Sequence, residues 1–209
     1  MTNRSQLFRK SILFLVSAFW LLYPITTAST ANDSDPLPVV KKTVDRILQI
    51  LEDPRYAGKD KKAEREELIL SVVKDRFDFH EMSERTLASN WNRISAQQQE
   101  TFTDLFSKLL QNTYVKKIEQ YSGEKIIYGE HEVRGRKAVV ESKIIRSGIE
   151  TPLVYRLKND SGSWRVYDVL IEGVSLVSNY RSQFADIIER EKFSGLLERM
   201  KEKIAGQEG

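Results

Sequence analysis

The chain has 209 residues and no cysteine, with 33 Lys+Arg, 30 Asp+Glu and two histidines. Disulfide scaffolds and cysteine-ligated metal centres are excluded, and the length suits one domain of ordinary size with a sizeable core. Residues 1–31 hold three basic residues and no acidic one, so beyond them the charges balance at 30 each, which takes away the main support for a nucleic-acid partner.

Those first residues read as a secretory signal peptide. Arg4, Arg9 and Lys10 precede an uncharged apolar run, 11–23, and two small-x-Ala sites follow, ending at Ala28 and Ala31. The run is about 13 residues, short of the roughly 20 that span a bilayer. With no cysteine for a lipid anchor and no later apolar run of spanning length, the expected destination is the periplasm, after cleavage near Ala28 or Ala31. Residues 32–209 then form a single domain.

Residues 32–38 are polar with two prolines and predict a flexible lead-in. Residues 39–52 carry Val40, Val44, Ile47, Leu48 and Leu51 at helical spacing, and Asp53-Pro54 stops them. A second helix is predicted over 61–76. Asp78 is a candidate N-cap for a short helix through Leu87, with Trp91 just beyond. Ser95 and Gln98 have the spacing of a capping box. They open the longest predicted helix, to about Tyr121, with a broad apolar face that includes Phe102, Phe106, Leu109 and Tyr114.

From Glu124 the texture is β. Strands are predicted over 125–133, 137–146, 151–158 and 163–171, separated by turns at Arg134-Gly135, Ser147-Gly148 and 159–162. The last strand carries large residues on both faces, as a central or covered strand does. Glu172-Gly173 breaks it. A helix over 174–190 and another over 192–204 complete the chain, with a frayed tail after Ala205. The expected architecture is α+β: N-terminal helices, a curved antiparallel sheet of about four strands, and C-terminal helices.

No catalytic constellation emerges. His80-Glu81 begins like a zinc-protease helix, but residue 84 is Glu, and no second histidine is near. Gly173-Val174-Ser175 lacks the second glycine of a nucleophile elbow; Ser175 reads as the N-cap of the next helix. No glycine-rich loop could cradle a phosphate. Asp168 is unusual, because alternation places it with Trp164 and Val166 on an apolar face. A buried carboxylate needs partners; Arg181 or a backbone N–H at the next helix start could supply them, making Asp168 a structural anchor. No metal ligands and no catalytic residues are assigned.

Several of these blocks together resemble a known family. Phe77-Asp78-Phe79, Leu87 followed by Trp91, the Phe102/Phe106 helix with Tyr114, Trp164-Arg165-Val166-Tyr167-Asp168, and Glu172-Gly173-Val174-Ser175-Leu176 followed by Tyr180-Arg181 are similar to the MlaC / toluene-tolerance auxiliary proteins. One departure is Ala88-Ser89, where that family often has a glycine. The resemblance implies a periplasmic phospholipid carrier with an apolar cavity between sheet and helices, maintaining outer-membrane lipid asymmetry. It implies phospholipid as cargo rather than a cofactor. The implied partners are an inner-membrane ABC transporter complex with an MCE-domain protein and an outer-membrane lipoprotein–porin complex. Face parity and the matching motifs nominate Phe102, Phe106, Leu109, Tyr155 and Tyr180 as cavity wall. Val140, Ile144, Val166, Leu170, Val174 and Val177 join them, while Trp164, Asp168 and Gly173 are structural. Three competing readings are a hopanoid or other apolar-ligand carrier of the same family, an exported protein-interaction module, and a small enzyme using Asp168 with Tyr167 or His131.

Overall fold

A computed structural model describes residues 35–208; the expected signal peptide and both cleavage sites lie outside the described residues. Helix α1 (Pro36–Glu52) begins three residues earlier than the sequence pattern suggests. Both prolines fall in its first turn, where a missing N–H costs nothing. Asp35 caps it, accepting from the Leu37 N–H at 3.0 Å. A 3-10 turn follows Asp53, and then α2 (Lys62–Arg76). The Asp78 carboxylate accepts the Glu81 N–H at 3.0 Å and opens α3 (Phe79–Leu87).

Ala88, where the family pattern often has glycine, sits at φ 49° in a 3-10 segment that runs to Arg93. The capping box is present: Gln98 N–H donates to Ser95 Oγ and Ser95 N–H to Gln98 Oε1. It starts α4 (Ala96–Ile118).

Five antiparallel strands follow in simple order: β1 (Lys125–Arg134), β2 (Lys137–Arg146), β3 (Ile149–Asp160), β4 (Ser163–Ile171) and β5 (Val174–Ser175). The extra strand relative to expectation is the two-residue β5. Glu172 (φ 51°) and Gly173 (φ 81°) link the paired residues Ile171 and Val174. Two consecutive positive φ values make a tight hairpin turn whose second position suits glycine. β4 therefore has neighbours on both sides, β3 and then β5, with Phe77 bridging to Val166 farther along.

Helix α5 (Leu176–Glu208) is two arms, broken at Lys192, where φ is 66° and ψ 178°. The second arm stays helical past the expected fraying point at Ala205, held by buried Leu196, Met200 and Ile204. Arg199 and Glu191 pair across the bend at 2.8 Å.

The buried apolar residues form three groups. One lies among α3, α4 and both arms of α5. The second lies between α1 and one face of the sheet. The third joins α1, α2 and the end of α4. Phe77 and Tyr114 pack against both of the first two groups.

Candidate functional site: a partly covered apolar sheet face

The strand register sets out one inner face. Ala138, Val140, Ser142 and Ile144 of β2 stand opposite Leu157, Tyr155, Leu153 and Thr151 of β3. Leu157, Tyr155 and Leu153 in turn meet Val166, Val169 and Ile171 of β4. At one end this face is closed: Ala138, Val140, Leu157, Trp164 and Val166 are buried together with Val40 of α1. Toward the other end Ile126, Ile144, Leu153, Tyr155 and Ile171 are only half-buried, although the same face carries them.

Tyr155 shows what kind of space this is. It sits in the middle strand between Val140 and Val169. Burial pushes its phenol above the ordinary range, yet its surface is not closed over. The side chain is thus deep in the sheet yet only half-buried. Two more phenols border this face. Burial pushes Tyr114 up to about 12, with Tyr180 beside it. Burial and the nearby Asp45 carboxylate on α1 hold Tyr128 above the ordinary range. All stay neutral at physiological pH, so the lining is apolar with a few uncharged hydroxyls. That composition receives hydrocarbon and a small number of polar atoms.

The expected wall residues divide among these surroundings. Ile144 and Tyr155 lie on the half-open part. Val140 and Val166 lie on the closed part, fully packed under α1. Phe102, Phe106, Leu109, Val177 and Tyr180 are in the helical group, ring against ring: Phe106 lies 5.6 Å from Phe102, 5.3 Å from Tyr180 and 5.8 Å from Phe184. A groove of about 400 Å³ opens beside Leu109 and Tyr180, between α4 and the arms of α5. Val174 is 58 % exposed at the sheet's end.

Leu170 is not on the inner face. A bulge at Tyr167 shifts the register between the Arg156–Asp168 and Leu157–Val166 pairs, which reverses the alternation expected from the sequence. Leu170 stands opposite Val154 and Ser175 instead. The residues that alternation did not nominate, Ile126, Leu153 and Ile171, share the half-open part; the Leu153-Tyr155-Leu157 alternation carried that signal for β3.

The same bulge moves Asp168 to the outer side, beside Arg156 rather than with Trp164 and Val166. Asp168 is 2 % exposed, and its carboxylate has three partners. Ser175 Oγ donates at 2.7 Å, the Val177 N–H at 3.1 Å and Arg156 at 3.2 Å. The backbone donor at the helix start is the one anticipated; the cation is Arg156, because Arg181 donates to the Arg85 carbonyl. Ser175 also accepts the Ser178 N–H at 3.0 Å, capping α5. Asp168 thus ties β4 to the first turn of α5. Trp164 is buried under α1, and Gly173 makes the turn that lets β5 form. Among the described residues no group of His, Cys, Asp or Glu is placed to hold a metal. His80 packs edge-on against Trp91, 5.2 Å between ring centres.

A family model described as "MlaC protein" matches residues 41–202. The chain belongs to the MlaC family. Members similar to it include the intermembrane phospholipid transport system binding protein MlaC of Haemophilus influenzae, 23 % identical, with 92 % of each chain covered. The toluene tolerance protein ttg2D of Pseudomonas putida is 25 % identical over 87 % of this chain and 83 % of its own. Among solved structures, a phospholipid-binding protein of Ralstonia solanacearum, determined with a phospholipid at 1.53 Å, superposes with a TM-score of 0.75. It is 28 % identical and covers 84 % of this chain and 99 % of its own. The α+β architecture read from the sequence is thus the fold of a MlaC-family member, with β5 as the strand not anticipated.

Proposed function

We propose that this MlaC-family chain is a periplasmic phospholipid-binding protein of an intermembrane lipid transport system, with the phospholipid as cargo. The observation that carries the reading is the half-open apolar sheet face, in a fold shared with a phospholipid-bound relative. Each methylene that leaves water contributes about 0.8 kcal/mol, so acyl chains supply affinity without a phosphate-binding loop. The uncharged phenols around the slot suit such cargo. Residues 1–31 direct export, and residues 32–209 form the carrier domain. In this reading lipid passes between an inner-membrane ABC transporter complex with an MCE-domain protein and an outer-membrane lipoprotein–porin complex. No catalytic step is assigned: the buried Asp168 carboxylate is fully engaged in holding α5.

Native mass spectrometry of the protein recovered after export, without detergent, tests this directly. The expected result is a mass excess that extracts as phospholipid. A clean apo mass with no uptake from liposomes refutes the carrier reading; an extracted triterpenoid refutes phospholipid as the cargo.

A further inference from the structure

One polar residue interrupts the apolar inner row of β2, Ala138-Val140-Ser142-Ile144. Ser142 is 5 % exposed, and its Oγ makes no hydrogen bond. A buried hydroxyl without a partner is unfavourable, whereas alanine or valine would sit on this face at no such cost. The register places Ser142 opposite Tyr128 and Leu153, one diagonal step from Tyr155. Its hydroxyl is near enough to the Tyr155 phenol to favour the phenolate, though the two do not meet at hydrogen-bond geometry. Tyr155 is the deep, incompletely covered residue of the slot. Two hydroxyl groups therefore lie close together on this face, at the boundary between its closed and half-buried parts.

A carbonyl oxygen carries two lone pairs and can accept from both. We infer that Ser142 and Tyr155 form a hydrogen-bonding subsite for one carbonyl oxygen of the bound molecule, inside an otherwise apolar slot. The inference rests on the phospholipid reading and says which part of the cargo the slot recognises: an acyl-ester carbonyl, below the headgroup. The subsite fixes how far the glycerol end descends and separates ester-linked from ether-linked lipids. An ether oxygen is a weaker acceptor and does not present the carbonyl's geometry.

The protein, purified after export and stripped of lipid, is offered vesicles with equal amounts of a diacyl phosphatidylglycerol and its dialkyl-ether counterpart of matched chain length. Bound lipid is quantified by mass spectrometry. The expected wild-type preference for the ester lipid is roughly five- to tenfold, the value of about one good hydrogen bond. In Ser142→Ala and Tyr155→Phe the ester-to-ether ratio falls toward one. Ser142→Ala only removes a hydroxyl that lacks a partner, so its thermal midpoint is expected to be unchanged or raised, which separates a lost subsite from lost folding. Equal uptake of the two lipids by the wild type, or a preference that persists in both variants, overturns the subsite and leaves the carrier reading standing. Uptake of neither lipid refutes both.

Discussion

Removing the Asp168 carboxylate should loosen the joint between β4 and α5. Asp168→Ala deletes the acceptor for Ser175 Oγ and for the Val177 N–H, each worth about 1 kcal/mol. It also removes the partner of Arg156. Breaking a fully buried pair costs about 3–5 kcal/mol, but the Arg156 side chain is 42 % exposed and regains water, so about 1 kcal/mol is appropriate. The total is about 3 kcal/mol, or roughly 6–12 °C in thermal midpoint for a chain of this size. Asp168→Asn keeps the size and one acceptor oxygen and should cost about half as much. Urea unfolding followed by the fluorescence of Trp91 and Trp164 measures both. A loss below about 1 kcal/mol for Asp168→Ala refutes the anchor. So does an Asp168→Asn variant of unchanged stability that loses its lipid, which would make the carboxylate a functional group.

Phe106 is fully buried among three aromatic rings, and Phe106→Ala should cost about 3–5 kcal/mol in urea unfolding; a cost under about 2 would mean that the helical group closes over the void. Ala88 holds φ 49° and ψ −122°, a region costly for any residue with a Cβ, so Ala88→Gly should stabilise by about 1 kcal/mol. An unchanged or lower denaturation midpoint would refute that strain. The Ser122 backbone N–H, the Ser122 hydroxyl and Arg146 hold the Glu124 carboxyl down at about 2, below its ordinary 4.5. A depressed carboxyl contributes stability above its unfolded value and loses it as pH falls through the folded one. Glu124→Gln should therefore be less stable than wild type at pH 7, with a gap that closes between about pH 4.5 and pH 2; a gap independent of pH would refute the assignment.

The local punctuation of the chain was legible because each signal acts within a few residues. The Ser95/Gln98 box, the Asp78 cap and the turns at Ser147-Gly148 and 159–162 are closed by neighbours three or four positions away. Features that depend on long-range pairing were not. The bulge at Tyr167 is set by how β4 meets β3, and alternation along one strand cannot reveal a residue that drops out of register. That single slip explains the misplaced faces of both Asp168 and Leu170. Pro36 and Pro38 read as breakers, yet a helix accepts proline in its first turn, and the choice fell to α1 packing on the sheet. The break between the two arms was legible, since separate helices were expected over 174–190 and 192–204, and the structure bends at Lys192; the positive φ of Lys192 itself carried no sequence sign, and the second arm folds back to bury Leu196 and Met200.

The division of the core into groups bears on where cargo can go. Five of the eleven residues nominated as cavity wall lie in the helical group, where Phe102, Phe106, Tyr180 and Phe184 contact one another through their rings. Packing of that kind resists opening, since each buried ring forfeits several kcal/mol when its neighbours withdraw. The sheet side differs. Its half-buried residues have less to lose, and two large aromatic side chains, Phe77 and Tyr114, pack against both this face and the helical group. In the proposed carrier, cargo lying along β2 and β3 would meet these two side chains first. In the proposed carrier the helical group supplies stability and the sheet face supplies the slot, so substitutions in one should register mainly in unfolding, in the other mainly in bound lipid.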